Sequence, residues 1–191
     1  MRRALPAVLL VSLATAAPVP AAQDVRRPDV ARAAAQTVTQ RFFAARLLAD
    51  RRTSREIRTL LSTGAGFVDR GVPFRDLTGD GRSDAVVRVQ SGGVLGAVAL
   101  YVFSTDAGRR HGPLRAVYRA QRLQHAETRI RDGVLRYRSA APGPADDPCC
   151  PARATEARLR WREARHRFEV VERRDVAPAD PWGDELAPPA G

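Results

Sequence analysis

The stretch Asp84-Ala85-Val86-Val87-Arg88-Val89-Gln90-Ser91-Gly92-Gly93-Val94-Leu95-Gly96-Ala97-Val98-Ala99-Leu100-Tyr101-Val102-Phe103 decides the fold. Ala85, Val87 and Val89 alternate with Val86 and Arg88, the period-two pattern of a strand. Ser91-Gly92-Gly93 turns the chain. Gly96 to Phe103 is then a nearly continuous apolar run, predicted to be a second strand. Gly92-Gly93-Val94-Leu95-Gly96 lacks the spacing of a dinucleotide or phosphate loop, and a hairpin turn accounts for it.

Working outward, the C-terminal side continues in strands. Leu114 to Ala120 is a third. Thr128–Ile130 and Leu135–Tyr137 flank Asp132-Gly133, a strong two-residue hairpin signal. Leu159–Trp161 and Phe168–Val170 make a last hairpin around Ala164-Arg165. The N-terminal side reads as helix. From Asp29 to Asp50, Val30, Ala34, Val38, Phe42 and Ala45 recur at spacings of three and four, with Leu48 one turn on. Thr53 and Glu56 fit a capping box, opening a short helix from Ser54 to about Ser62 with Ile57, Leu60 and Leu61 as its apolar side. Helices first and antiparallel strands after them predict the α+β class.

The first 22 residues read as a secretory signal peptide. Arg2 and Arg3 form its positive start, an apolar run extends from Ala4 to about Ala17, and small residues lead to a cleavage site near Ala21. The run is shorter than the roughly 20 residues that span a bilayer, and no later segment is apolar enough to cross one. The mature chain is therefore expected to be secreted or extracytoplasmic, without a transmembrane span. Residues 23–174 are expected to form one domain, and residues 175–191, rich in Pro and acidic residues, a disordered tail. The chain carries 32 basic and 21 acidic residues, a net charge of +11, and every basic residue is Arg. Such a charge draws anionic partners. For an exported protein these are cell-envelope polymers rather than nucleic acid.

Three constellations carry the functional expectations. In Asp76-Leu77-Thr78-Gly79-Asp80-Gly81-Arg82-Ser83-Asp84, alternating oxygen-bearing residues precede a turn glycine, and a further Asp stands at the ninth place. Asp76, Thr78, Asp80 and Asp84, with the Arg82 carbonyl, are the candidate ligands of a Ca²⁺ ion. The twelfth place holds Val87, which excludes the EF-hand form. The competing reading is a turn whose Asp side chains cap backbone N–H groups. The second constellation is Cys149-Cys150, the chain's two cysteines. Adjacent Cα atoms lie about 3.8 Å apart, below the usual disulfide range, so a bond between them is a strained vicinal disulfide. Two thiols without His partners make a poor zinc site. The third is the arginines of the C-terminal strands: Arg129 and Arg131, Arg136 and Arg138, then Arg158, Arg160 and Arg162. Each set alternates with apolar residues and so shares a strand face. That face either binds polyanions or is merely solvated.

The loop resembles the calcium loops of FG-GAP repeats, with Thr78 in place of a carboxylate or amide ligand and a single copy in the chain. The order of Asp76 to Asp84, Ser91 to Gly96, Cys149 to Pro151, and Trp161 with Phe168 is similar to the LppP/LprE type of exported actinobacterial proteins. That resemblance covers about Phe74 to Val171 and implies an envelope location, with no enzymatic activity attached to it. His111, His125 and His166 lack metal-ligand spacing, and no nucleophile elbow is present. The expected function is a secreted, non-enzymatic cell-envelope binding or interaction module. A Ca²⁺-stabilised structural domain is the alternative, and a hydrolase a distant third.

Overall fold

A computed structural model describes residues 36–105, 112–144, 146–147 and 151–182. The chain is α+β: among the described residues, two helices precede two antiparallel sheets. Helix α1 is Val38–Ala49 and α2 is Arg55–Thr63. The first sheet holds β1 (Phe67–Val68), β2 (Phe74–Arg75), β3 (Asp84–Gln90), β4 (Ala97–Ser104) and β5 (Arg115–Gln121). Its order is β1-β3-β4-β5, with β2 also paired to β3. The second sheet runs in chain order through β6 (Glu127–Arg131), β7 (Val134–Ala140), β8 (Ala154–Arg162) and β9 (Arg167–Val176).

The apolar continuity of β3 and β4 follows from their place between two layers. One face of the first sheet, with Val87, Val89, Ala99, Tyr101 and Phe103, packs on Phe43, Leu47 and Ile57 of the helices. The other face, with Val86, Leu100 and Val102, packs on Leu135, Tyr137, Ala157, Leu159 and Phe168 of the second sheet. Every residue of β4 is buried. A strand covered on both faces loses the alternation of a half-exposed one. The order of layers is helices, first sheet, second sheet. The far face of the second sheet meets solvent, and there the period-two pattern of Arg and apolar residues is retained.

The predicted hairpins form. Asp132 and Gly133 both take positive φ, 50° and 70°, the conformation the Asp-Gly pair favours in a two-residue turn. The last hairpin turns through a 3₁₀ turn, Glu163–Arg165, with His166 at φ 45°.

The helices differ from expectation in three respects. The helix expected from Asp29 begins at Val38, where Thr37 is its N-cap and forms a capping box with Gln40. Residues 29–35 lie outside the described residues. The buried face of α1 is Gln40, Phe43 and Leu47, while Val38, Phe42 and Leu48 of the expected core stripe are exposed. The physical reason is that α1 is apolar on two sides. The buried choice places Phe43 on Phe103 at 5.1 Å and lets Gln40 Nε2 donate to the Val68 carbonyl at 2.6 Å. The third difference is at α2. Ser54, not Thr53, is the N-cap, accepting from the Ile57 amide at 3.3 Å. Thr53 is buried instead.

The tail expected to be disordered from Asp175 begins as strand. Asp175 and Val176 close β9, paired with Thr155 and Ala154. Residues 177–182 turn back onto Arg138. Residues 183–191, the signal segment and Cys149-Cys150 lie outside the described residues, so the disulfide expectation falls there too. Among the described residues, no helix is long and apolar enough to cross a membrane.

Candidate functional site

The loop between β2 and β3 is held at its base by the pairing of Arg75 with Asp84. Buried Leu77 anchors it to the core between the sheets. The Asp84 carboxylate is turned inward, and its Oδ2 accepts from the Leu77 and Thr78 amides at 2.8 and 3.0 Å. Asp76 accepts from Gly79 and Gly81 at 2.7 and 2.9 Å, one bond to each oxygen. Asp80 Oδ1 accepts from Arg82 N at 2.9 Å. Gly79 and Gly81 stand at φ 82° and 80°, conformations that side chains rarely adopt. All three Asp residues therefore cap backbone amides, which is the chemistry of the turn reading.

Three oxygens of the same loop are not used in this way. Thr78 Oγ1, Asp80 Oδ2 and Asp84 Oδ1 are buried and have no hydrogen-bond partner. The Ser104 hydroxyl near Asp84 gives its hydrogen to the Thr105 carbonyl at 3.0 Å. Burial pushes the Asp84 carboxyl above the usual carboxylate range, and the Asp80 charge pushes it the same way. Buried oxygens without donors are costly, and a hard cation with oxygen ligands would satisfy them. Among the described residues no group of three or more His, Cys, Asp or Glu side chains could hold a metal ion. The oxygens available here form a mixed set of two carboxylates and a hydroxyl.

The solvent face of the second sheet brings the seven candidate arginines onto one surface, but not as a uniform one. Register sorts them into rows. In one row Glu127, Arg138, Glu156 and Arg174 lie side by side across β6 to β9, alternating in sign. Glu156 is 1% exposed. It accepts from Arg138 at 2.8 and 2.9 Å, from Arg174 at 3.0 Å and from Arg136 at 3.3 Å. Arg138 is consumed by structure. Beyond Glu156 it donates to the Asp180 and Pro181 carbonyls at 2.7 Å each, and its guanidinium lies 4.3 Å from the centre of the Trp182 ring. It ties residues 178–182 to the sheet and has no nitrogen left for a ligand.

The next row is different. Arg129, Arg136 and Arg158 stand abreast on β6, β7 and β8, and Glu172 follows on β9. Adjacent strands place them about 5 Å apart, and like charges directly opposite are unfavourable. Glu172 lies 2.9 Å from Arg158 and 3.9 Å from Arg136, and Glu156 lies 3.3 Å from Arg136, so the row is partly compensated. With Arg131, Asp132 and Val134 these arginines line a cleft of about 100 Å³, four guanidinium groups to one carboxylate. Arg160 is exposed opposite Glu169, and Arg162 lies 3.5 Å from Glu169.

Sequence reading alone missed Glu156, Glu172 and Trp182. Glu156 stands two residues before Arg158 and four before Arg160 on β8, so its strand face was legible, but its three partners come from β7 and β9 and depend on pairing. A second cavity of about 220 Å³ lies at the end of this sheet, lined by His125, Glu127, Arg138, Ala140, Pro151, Ala154 and Pro178.

No protein-family model matches the chain, and neither a curated protein nor a solved structure matches it.

Proposed function

We propose that this chain is an exported, non-enzymatic binding module of the cell envelope, of the LppP/LprE type, and that it takes anionic polymers on the solvent face of its second sheet. The observation that carries the reading is the row Arg129, Arg136 and Arg158, three like charges abreast beside a cleft with a strong cationic excess. Glu156 and Glu172 offset part of this charge, 3.3 Å from Arg136 and 2.9 Å from Arg158, and an anion bridging the cleft adds to that compensation. Arg131 at the cleft, with Arg158, Arg160 and Arg162 along β8, extends the positive surface. Arg138 belongs to the scaffold. Export rests on the Arg-flanked apolar run of residues 1–22.

The test is retention on immobilised polyphosphate, with neutral dextran as the control matrix. Arg129→Gln/Arg131→Gln should elute earlier than the unaltered chain from polyphosphate alone. Co-elution of the two proteins would leave the face merely solvated.

A second reading has its own observation. The three unpartnered oxygens of Thr78, Asp80 and Asp84 favour a Ca²⁺ ion in the loop, with the Arg82 carbonyl as a further ligand and Asp76 shaping the turn. Rotation of the Ser104 hydroxyl toward Asp84 would satisfy only one of the three. In this reading the ion stabilises the entry into β3.

A further inference from the structure

We propose that the outward face of α1 docks on an anionic lipid surface. This helix has two apolar faces. At 3.6 residues per turn, Gln40, Phe43 and Leu47 point to the first sheet, and Val38, Phe42 and Ala45 fall on the opposite side. Val38 is 74% exposed and Phe42 43%. Phe42 lies edge-on to the buried Phe43 at 5.2 Å. Scattered exposed apolar side chains are ordinary, whereas a contiguous row marks an interaction surface.

The charges around the row select the partner. Arg41 and Arg46 flank it on either side, and the Arg46 guanidinium lies 5.3 Å from the centre of the Phe42 ring. Arg51 and Arg52 follow the helix. Asp50, the acidic residue of this segment, is held by Arg119 at 2.7 and 3.2 Å. A second copy laid on this face would set Arg41 and Arg46 against their like. An anionic lipid surface accepts the apolar row into the interface and pairs the arginine rim with head groups. With so few apolar side chains the contact is weak and reversible. It lies on the opposite side of the layers from the arginine row, so this inference stands apart from the polymer reading.

The test is co-sedimentation of the full chain with vesicles of phosphatidylcholine, alone or mixed with phosphatidylglycerol. Amide exchange over 38–49 is followed with and without the vesicles. The unaltered chain should sediment with the mixed vesicles, and α1 amides should exchange more slowly there. Val38→Ser/Phe42→Ser should reduce partition roughly tenfold, by loss of buried apolar area. Arg129→Gln/Arg131→Gln should partition like the unaltered chain. If the serine variant melts lower, the exchange of the unaltered chain decides. Equal partition of the serine variant with unslowed exchange at α1 would overturn the proposal. So would a concentration-dependent dimer that Phe42→Ser dissolves, since the face would then be filled by a second copy.

Discussion

Glu156 shows what a single residue does in this fold. It is a buried carboxylate that accepts from three arginines on two neighbouring strands. Removing one partner of a buried ion pair leaves the others uncompensated, at a cost of about 3–5 kcal/mol. Glu156→Gln should therefore lower unfolding free energy by about that much in a denaturant titration, and should loosen residues 178–182 as well. Glu172→Gln, at a half-exposed position, should cost under about 1 kcal/mol. Equal effects of the two would refute the distinction between scaffold and surface arginines. Asp84 carries the other prediction at this scale. Its carboxyl is raised by burial and by Asp80, so the folded loop favours the protonated form. Stability is full below the ordinary carboxylate range and falls as pH rises through it. A bound Ca²⁺ would oppose that loss. Near neutral pH, Ca²⁺ in several-fold excess over Kd should raise stability by about 1 kcal/mol, and Asp80→Asn should remove the gain. Identical melting curves in EDTA and in Ca²⁺ would mean that the loop is a turn only.

The sequence made the elements legible where a local signal was unambiguous. Asp132-Gly133 had one turn geometry available, and the run from Ala97 to Phe103 could hardly be anything but a buried strand. The face of α1 was not legible, because both its sides carry apolar residues. Only the docking of Phe43 on Phe103 and of Gln40 on β1 chooses between them. β1 and β2 are two residues long and pair at the margin of β3, too short to leave a period. Their placement depends instead on the loop that follows α2. A Cβ on Gly66 would come within 2.6 Å of the Gln90 carbonyl and 3.0 Å of the Leu60 side chain, so glycine is what lets α2 lie against the end of β3. Gly66→Ala should cost about 1–3 kcal/mol through overpacking, read as a lower midpoint in urea. Gly71→Ala, with open space around it, should be nearly silent. A silent Gly66→Ala would contradict the close approach.

At the scale of the whole molecule, the first sheet is buried on both faces, and its aromatic hydroxyls are buried with it. Tyr101 donates to Gln121 at 3.0 Å, and burial pushes its pKa from 10.0 up to about 12. Tyr118, which donates to Tyr137 across the inter-sheet core at 3.3 Å, is pushed up as well, chiefly by burial. Both groups are favoured neutral in the fold. Stability is therefore full below pH 10 and is lost as pH rises from 10 toward 12. Alkaline titration should show tyrosine ionisation together with loss of tertiary structure. Ionisation near pH 10 of a still-folded chain would contradict the layered packing.

The candidate site was legible in its residue types and in their shared face, since Arg alternates with apolar residues along β6, β7 and β8. It was not legible in its charge, because pairing decides how the arginines share their carboxylates: Arg138 and Arg136 both reach Glu156, Arg158 reaches Glu172, and Arg129, Arg136 and Arg158 stand side by side in one row. Binding of polyanions by this row is read out by the salt dependence of polyphosphate binding. Each phosphate neutralised releases condensed counterions, so log K should fall linearly with log salt, with a slope set by the number of contacts. The unaltered chain should show a steep slope, and Arg129→Gln/Arg131→Gln a shallower one, by roughly one unit per arginine removed. Equal slopes for the two proteins would contradict polyanion binding by this row.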